Sequence, residues 1–320
     1  MAALVAAVAP LFTFADPEVD ESSGMAASSV TDDWFFTHND SGDVARFFVV
    51  DRSGVTLATH TLPGVDAVDW EDMARGPDEQ GRPSLWFGDI GDNDATRPAV
   101  TVYRVPEPDV DPSAPGSEIP TPPPARFELV YEDGPHDAET LLVHPTTGRL
   151  YVVTKSFFGL SVVYAAPHPL SAGAANRLER VAEVELQPTG SPGGPPQLGS
   201  IAQVAVTGGA VAPGGDRVVL RTYTDAHEWA VPGSDVAAAL GAGPPPSVTP
   251  LPETEQGEAV TYSRDGTALL TTAEGSGAPV HVVPSALPEV TSPDTAAAVA
   301  GVGTAVLAVG ASLGAALAAG

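Results

Sequence analysis

The chain has 320 residues, 43% of them hydrophobic, which is ample for a core and excludes wholesale disorder. Its 41 acidic against 14 basic side chains give a net charge of -27, which excludes nucleic acid as a partner and repels anionic lipid, because both need a Lys/Arg footprint. With no cysteine there are no disulfides and no thiolate chemistry, and 33 glycines with 33 prolines lacking any period point to many turns and short strands.

In chain order, residues 1-10 read as a clipped signal-like or disordered segment: apolar, but with no basic leader, and with Pro10 following Ala9 where a cleavage site needs another residue. From there a motif recurs. It is clearest as Asp137-Ala138-Glu139, with relatives at Asp69-Trp70-Glu71 and Gln256-Gly257-Glu258 and a looser copy at Asp20-Glu21-Ser22. In Thr207-Gly208-Gly209 the frame stays and the glutamate is gone. Each copy opens a module of short β-branched or aromatic runs bounded by turn residues.

After Glu21 these runs are 34-38, 47-51 and 56-62; after Glu71 they are 85-88, 100-105 and 127-131; after Glu139 they are 150-155, 162-165 and 178-186. After Gly209 they are 218-223, 228-231 and 248-251, and after Glu258 only 269-273 and 280-283. Five modules of four strands predict an all-β propeller over 11-284, with 11-14 supplying the missing strand of the fifth and closing the ring. The alternatives are a sixth blade hidden in the irregular gaps 106-125 and 187-200, and a two-sheet sandwich, which does not explain the repeated motif. Ser234 to Leu240 reads as a short helix capped by Ser234 and stopped by Gly241. Residues 285-294 form a linker, and 295-320 an uncharged tail long enough to be a transmembrane helix, set against a disordered Ala/Gly tail.

If the motif glutamates begin inner strands, they share one channel mouth with the ends of the second strands: His38-Asn39-Asp40, Asp89, Asp92 and Asn93, Lys155, Arg221 and Glu274. Carboxylates so outnumber cations there that they must raise their pKa values or share an ion, and all-oxygen donors select a hard cation, Ca2+ foremost. The seven histidines show no zinc-ligand spacing, and no G-x-S-x-G elbow marks a nucleophilic serine. The alternative reading has the glutamates bridging blades and pairing with Lys155 and Arg221 as structure. The four tryptophans read as blade packing.

Glu21-Ser22-Ser23-Gly24, Thr37-His38-Asn39-Asp40-Ser41-Gly42-Asp43, Asp69-Trp70-Glu71-Asp72, Gly88-Asp89-Ile90-Gly91-Asp92-Asn93, Asp137-Ala138-Glu139 and Arg221-Thr222-Tyr223 together resemble a family of actinobacterial exported or membrane-attached β-propeller proteins. The resemblance runs from about Phe12 to Pro284, and that family brings no established activity with it. More distantly the chain is similar to calcium-dependent lactonase, gluconolactonase and phytase-like propellers, which implies metal and catalytic carboxylates at the channel mouth.

The resulting expectation is an extracytoplasmic monomer, secreted or anchored to the cell membrane through its tail, acting on a small-molecule or cell-envelope ligand. A Ca2+ held by some of Glu21, Glu71, Glu139, Glu258, Asp89 and Asn93 would polarise an ester, lactone or phosphoester, with phytase activity disfavoured by the lack of basic residues. Lys155 or Arg221 would stabilise the developing charge, and His38 or a metal-free glutamate such as Glu139 or Glu71 would be the general base. The rival is a non-catalytic binding or scaffolding propeller with an ion-stabilised channel.

Overall fold

The computed structural model describes residues 9-288. Its short strands form four hydrogen-bonded sheets that make up five blades around a channel, the second and third blades being joined into one eight-stranded sheet by parallel pairing of Leu129–Tyr131 with Asn176–Leu178. The first is β1 (Phe12–Thr13). Blade 1 follows as β2 (Ser22–Ala27), β3 (Trp34–Asn39), β4 (Arg46–Asp51) and β5 (Thr56–Thr61). Blade 2 has β6 (Trp70–Pro77), β7 (Pro83–Asp89) and β8 (Val100–Pro106). The chain then returns to blade 1, where β9 (Ser117–Pro120) pairs in parallel with β5, before β10 (Ala125–Tyr131) completes blade 2. Blade 3 is β11 (Ala138–Val143), β12 (Leu150–Thr154), β13 (Leu160–Ala165) and β14 (Asn176–Glu185). Blade 4 is β15 (Val206–Val211), β16 (Arg217–Thr222), β17 (Asp225–Ala230) and β18 (Ser247–Pro250). Blade 5 holds β19 (Gly257–Tyr262), β20 (Ala268–Ala273) and β21 (Pro279–Pro284), and its fourth strand is β1, with Phe12 opposite Val280.

Closure by the N-terminal strand follows from its side chains. Phe12 packs with Phe14 and Phe35, and all three sit with Met25, Leu270 and Val280 in the core between blades 5 and 1. Four further apolar cores fill the other interblade spaces, from Phe36, Phe47, Trp70 and Phe87 between blades 1 and 2 to Val219, Val260 and Leu269 between blades 4 and 5. An inner strand therefore has a neighbouring blade on both faces. That is why Ala138–Val143 is buried at every position rather than at alternate ones, its Glu139 and Thr140 included.

Two local expectations need correction. The gap 106-125 is not wholly irregular, since β9 lies in it and widens blade 1 to five strands. The short helix α1 runs Val236–Ala242, through Gly241, and its cap is Asp235, whose side chain accepts from the Ala238 amide; Ser234, at positive φ, is one residue too early. All the described strands are accounted for by five blades and the added β9, with no sixth blade. The expected anchor at 295-320 lies outside the described residues, and among the described ones no helix is long and apolar enough to cross a membrane.

Candidate metal centre

Every inner strand carries an irregularity in the same place. The pairing of β2, β6, β11, β15 and β19 with the next strand slips by one residue just after its start, at Ser22/Gly24, Trp70/Asp72, Ala138/Thr140, Val206/Gly208 and Gly257/Val260. The residues lodged in these bulges are Ser23, Glu71, Glu139, Thr207 and, with Ala259, Glu258. A bulge bends the strand and re-aims the extra side chain, here at the channel mouth.

The register corrects the repeat alignment. Met25 stands where Met73 does, so Ser23, not Glu21, is the counterpart of Glu71; Thr207, not Gly209, is the counterpart of Glu139. Glu21 lies two residues outside the bulge and is exposed. The hydroxyls at the two positions without carboxylates clip the inner ring together. Ser23 Oγ donates to the Glu71 carbonyl of blade 2, and Thr207 Oγ1 donates to the Gly257 carbonyl of blade 5 at 2.8 Å.

The carboxylates behave differently. Glu71 and Glu139 are buried with their carboxyls in hydrogen-bond contact, and Glu71 belongs to two sets of acids whose ligand oxygens lie within 4.8 Å of one another: Asp40, Asp69 and Glu71, and Glu71, Asp137 and Glu139. Asp69 and Asp137 precede the bulge glutamates by two residues. Asp40 follows the end of β3, where its amide bonds the Glu21 carbonyl; the same position holds Lys155 in blade 3 and Glu274 in blade 5. Gly91 makes the approach feasible, because a Cβ there would collide with both the Glu71 and Asp69 carboxylates.

Burial and mutual repulsion raise the pKa values. Desolvation pushes Asp40 up to about 7, with Glu139 and Asp69 adding to it. Glu71 and Glu258 are driven well above the carboxylate range, by desolvation first and the neighbouring Glu139 second. Glu139 is raised by desolvation too, against the opposing pull of Lys155, whose Nζ lies 2.6 Å from Glu139 Oε1. Lys155 also sits 5.6 Å from the centre of the Tyr223 ring. Two oxygens here, Asp40 Oδ1 and Glu258 Oε2, are buried without a hydrogen-bond partner.

This donor set fits a hard cation. All the donors are oxygens, and Ca2+ binds oxygens at about 2.3–2.6 Å, so ligand oxygens on opposite sides of one ion stand up to about 5 Å apart. Asp40 Oδ1, which belongs to one of the two acid sets, is an orphaned oxygen that an ion there would satisfy.

The remaining expected site residues are elsewhere. His38 is fully buried between blades 1 and 2, edge-on to Trp70 and Phe87, with Nδ1 donating to the Asn39 carbonyl at 2.8 Å; desolvation pushes it down to about 4, so it is neutral. Arg221 is sealed between blades 4 and 5, donating to the Ala259 and Thr272 carbonyls at 2.5 Å, and desolvation lowers it to about 10. Asp89 accepts from the Val68 and Asp69 amides and pairs with Arg97 at 2.7 Å, which fixes the strand start rather than a ligand. Asn93 is exposed.

Asp40, Asp69 and Asp137 were not among the expected ligands. The signal for the last two is present in the sequence as Asp-x-Glu, a spacing of two that recurs at Asp69-Glu71 and Asp137-Glu139. Below the acids, Asp72 closes the channel: its Oδ2 accepts from the Leu141 amide of blade 3 at 2.9 Å, and the Gly209 amide of blade 4 also bonds it. At the opposite mouth Ala27, Met73, Val143, Ala210 and Tyr262 line a cavity of about 30 Å³.

No protein-family model and no curated protein matches the sequence. Among solved structures, a gluconolactonase from Xanthomonas campestris is similar at 14% identity and a TM-score of 0.40, covering 78% of this chain and 69% of its own. Sqt1 of Chaetomium thermophilum is similar at 17% identity and a TM-score of 0.30, covering 64% of this chain and 41% of its own. Likenesses this distant bear on neither the chemistry nor the ligand.

Proposed function

We propose that the crater binds a Ca2+ ion and that the protein hydrolyses an ester or lactone there. The observation that carries this is the pair of overlapping acid sets sharing Glu71, in a mouth that also holds unpartnered carboxylate oxygens. Glu71 with Asp40 and Asp69, or with Asp137 and Glu139, would hold the ion. Bound there, such an ion polarises a carbonyl oxygen and acidifies water.

The chain's own groups supply the rest. With the ion held by Glu71, Asp137 and Glu139, Asp40 stays free to take the proton of the attacking water at its carboxylate, in place of His38, which the wall encloses. Water oxygen bonds to the acyl carbon, the acyl C–O bond breaks, and the proton passes to the leaving oxygen, giving an acid and an alcohol, or one hydroxy acid from a lactone. Lys155, held by Glu139, faces the developing oxyanion. The exported, tail-anchored location belongs to the same proposal, since Ca2+ is plentiful outside the cell.

One observation favours a second reading. Asp72 plugs the channel and ties inner strands of three blades, so an ion above it would serve stability alone. Calorimetric titration with Ca2+, together with rates on aryl esters and lactones in Ca2+ or EDTA, separates the two. The hydrolase reading expects Ca2+ binding that Glu71→Gln abolishes and turnover that EDTA abolishes. Binding with a raised melting temperature but no turnover leaves the plug, and absence of Ca2+ binding overturns both.

A further inference from the structure

The turn that follows Lys155 exposes two aromatic rings beside the crater. Lys155 ends at the mouth, in contact with Glu139, and its Nζ lies 5.9 Å from the centre of the Phe157 ring. Phe157 is 44% exposed and Phe158 98%. Exposed phenylalanine rings forgo burial energy, Phe158 almost all of it and Phe157 part. The turn is nonetheless fixed: Gly159, at φ +78°, packs so closely on the Leu186 carbonyl that no Cβ fits, and the Leu186 amide bonds the Gly159 carbonyl at 2.7 Å. The rings are therefore presented by a firmly seated turn.

The apolar surface continues past the turn. Leu160, 44% exposed, is the first residue of β13 and pairs with Glu185 at the end of β14. Both line a cleft of about 1010 Å³ between blade 3 and α1, whose apolar wall includes Val181, Val184, Trp229 and Leu240. An oxygen-rich ion site, an exposed aromatic pair and a cleft with one apolar wall, rimmed by Arg180, Glu183 and Asp235, thus follow one another along the chain from Lys155 to Leu160.

We infer that Phe157 and Phe158 are a substrate-recognition element for the apolar chain of the ester or lactone, whose carbonyl sits in the crater while its alkyl or aryl part crosses the two rings toward the Leu160 cleft. This rests on the hydrolase reading and narrows it: the substrates are esters or lactones with a substantial hydrocarbon chain, not polyhydroxylated lactones. The occupant follows from charge and continuity. A net charge of -27 opposes both an anionic lipid surface and the apposition of two such crater mouths, whereas a neutral ester meets neither penalty. The rings are continuous with the ion site itself, where only the ligand of that site would be delivered.

The test uses the full chain, its Phe158→Ser variant and a series of 4-nitrophenyl esters from acetate to decanoate in Ca2+. Because Phe158 is solvated, the variant folds, which its melting temperature checks. The expected result is a kcat/KM that rises with chain length in the parent and loses about tenfold on decanoate in the variant. A chain-length profile that is flat, or the same in both proteins, overturns the inference while leaving the hydrolase standing. If no ester is turned over, the hydrolase reading fails, and calorimetry with acetate and octanoate decides the recognition element by itself. Octanoate binding that Phe158→Ser weakens about tenfold supports it, and equal affinity for the two acids overturns it. Sedimentation with phosphatidylcholine vesicles, or a dimer that Phe158→Ser dissociates, assigns the rings to a membrane or a second copy and overturns it as well.

Discussion

The five bulges of the inner ring divide into two kinds built on one backbone. In blades 1 and 4, Ser23 and Thr207 turn their hydroxyls sideways onto the carbonyl of a neighbouring inner strand, and the bulge becomes a clip. In blades 2, 3 and 5 the same irregularity holds Glu71, Glu139 and Glu258, whose longer side chains pass that carbonyl and gather at the mouth. A short neutral donor completes the ring's hydrogen bonding, whereas a long acceptor cannot donate to a carbonyl and must find a cation, a proton or an amide. The fold thus tolerates either residue at the bulge, and only the carboxylate positions carry an unmet electrostatic demand.

Removing a carboxylate that already has its cation breaks this comparison most sharply. The side chains of Lys155 and Glu139 are 10% and 5% exposed, so Glu139→Gln leaves an ammonium buried without its close counter-charge. The expected loss is about 3–5 kcal/mol in urea unfolding, and a smaller loss in Glu139→Gln/Lys155→Met, where both charges go. Equal losses in the single and double variants would mean that packing, not charge, sets the value of this position.

The second effect is a pH dependence imposed by the buried acids of the mouth, the bulge glutamates and Asp40 together. Asp40 is raised from 3.8 to about 7, and Glu71, Glu139 and Glu258 are raised with it. A carboxyl whose pKa is higher in the folded than in the unfolded chain keeps its proton longer when folded. Its favourable contribution is full below about 4 and is lost as pH rises through about 7. In EDTA the melting temperature therefore falls between pH 5 and pH 8. Saturating Ca2+, which binds the ionised acids, removes most of that fall. A flat profile in EDTA would mean that the carboxylates ionise freely without an ion.

Much of this was legible in the sequence because blade strands are short, bounded by turn residues and separated by a recurring motif. The count of five and the closure by Phe12 followed from the fifth module lacking a fourth run. The site was legible in part. Glu71, Glu139, Glu258 and Lys155 reach one mouth, but Glu21 was aligned two residues off, since acidity near a strand start cannot reveal which residue a bulge will lodge. The methionines at 25 and 73 carried the correct register and were the better guide. His38 and Arg221 read as mouth residues because they lie near strand ends, yet both pair with glycines, Gly24 and Gly208. The room over a glycine lets a large polar side chain fold into the wall between blades. Asp40 was placed at the mouth with the end of the second strand but not beside Glu71, because the turn after β3 has no fixed spacing to Glu71.

The smallest effect tests the other half of the comparison. Thr207→Val keeps the shape of the side chain and removes the 2.8 Å bond to the Gly257 carbonyl, which is left without this donor. Net hydrogen bonds of this kind contribute about 1 kcal/mol, so urea unfolding should register a loss of about that size. Ser23→Ala, which cuts the clip to the Glu71 carbonyl, should lose a similar amount. Neither should change Ca2+ affinity in calorimetry, because the hydroxyls hold strands and not the ion. A Ser23→Ala variant that lost affinity as well as stability would show that the clip positions Glu71 for the ion, and that the two kinds of bulge act as one device.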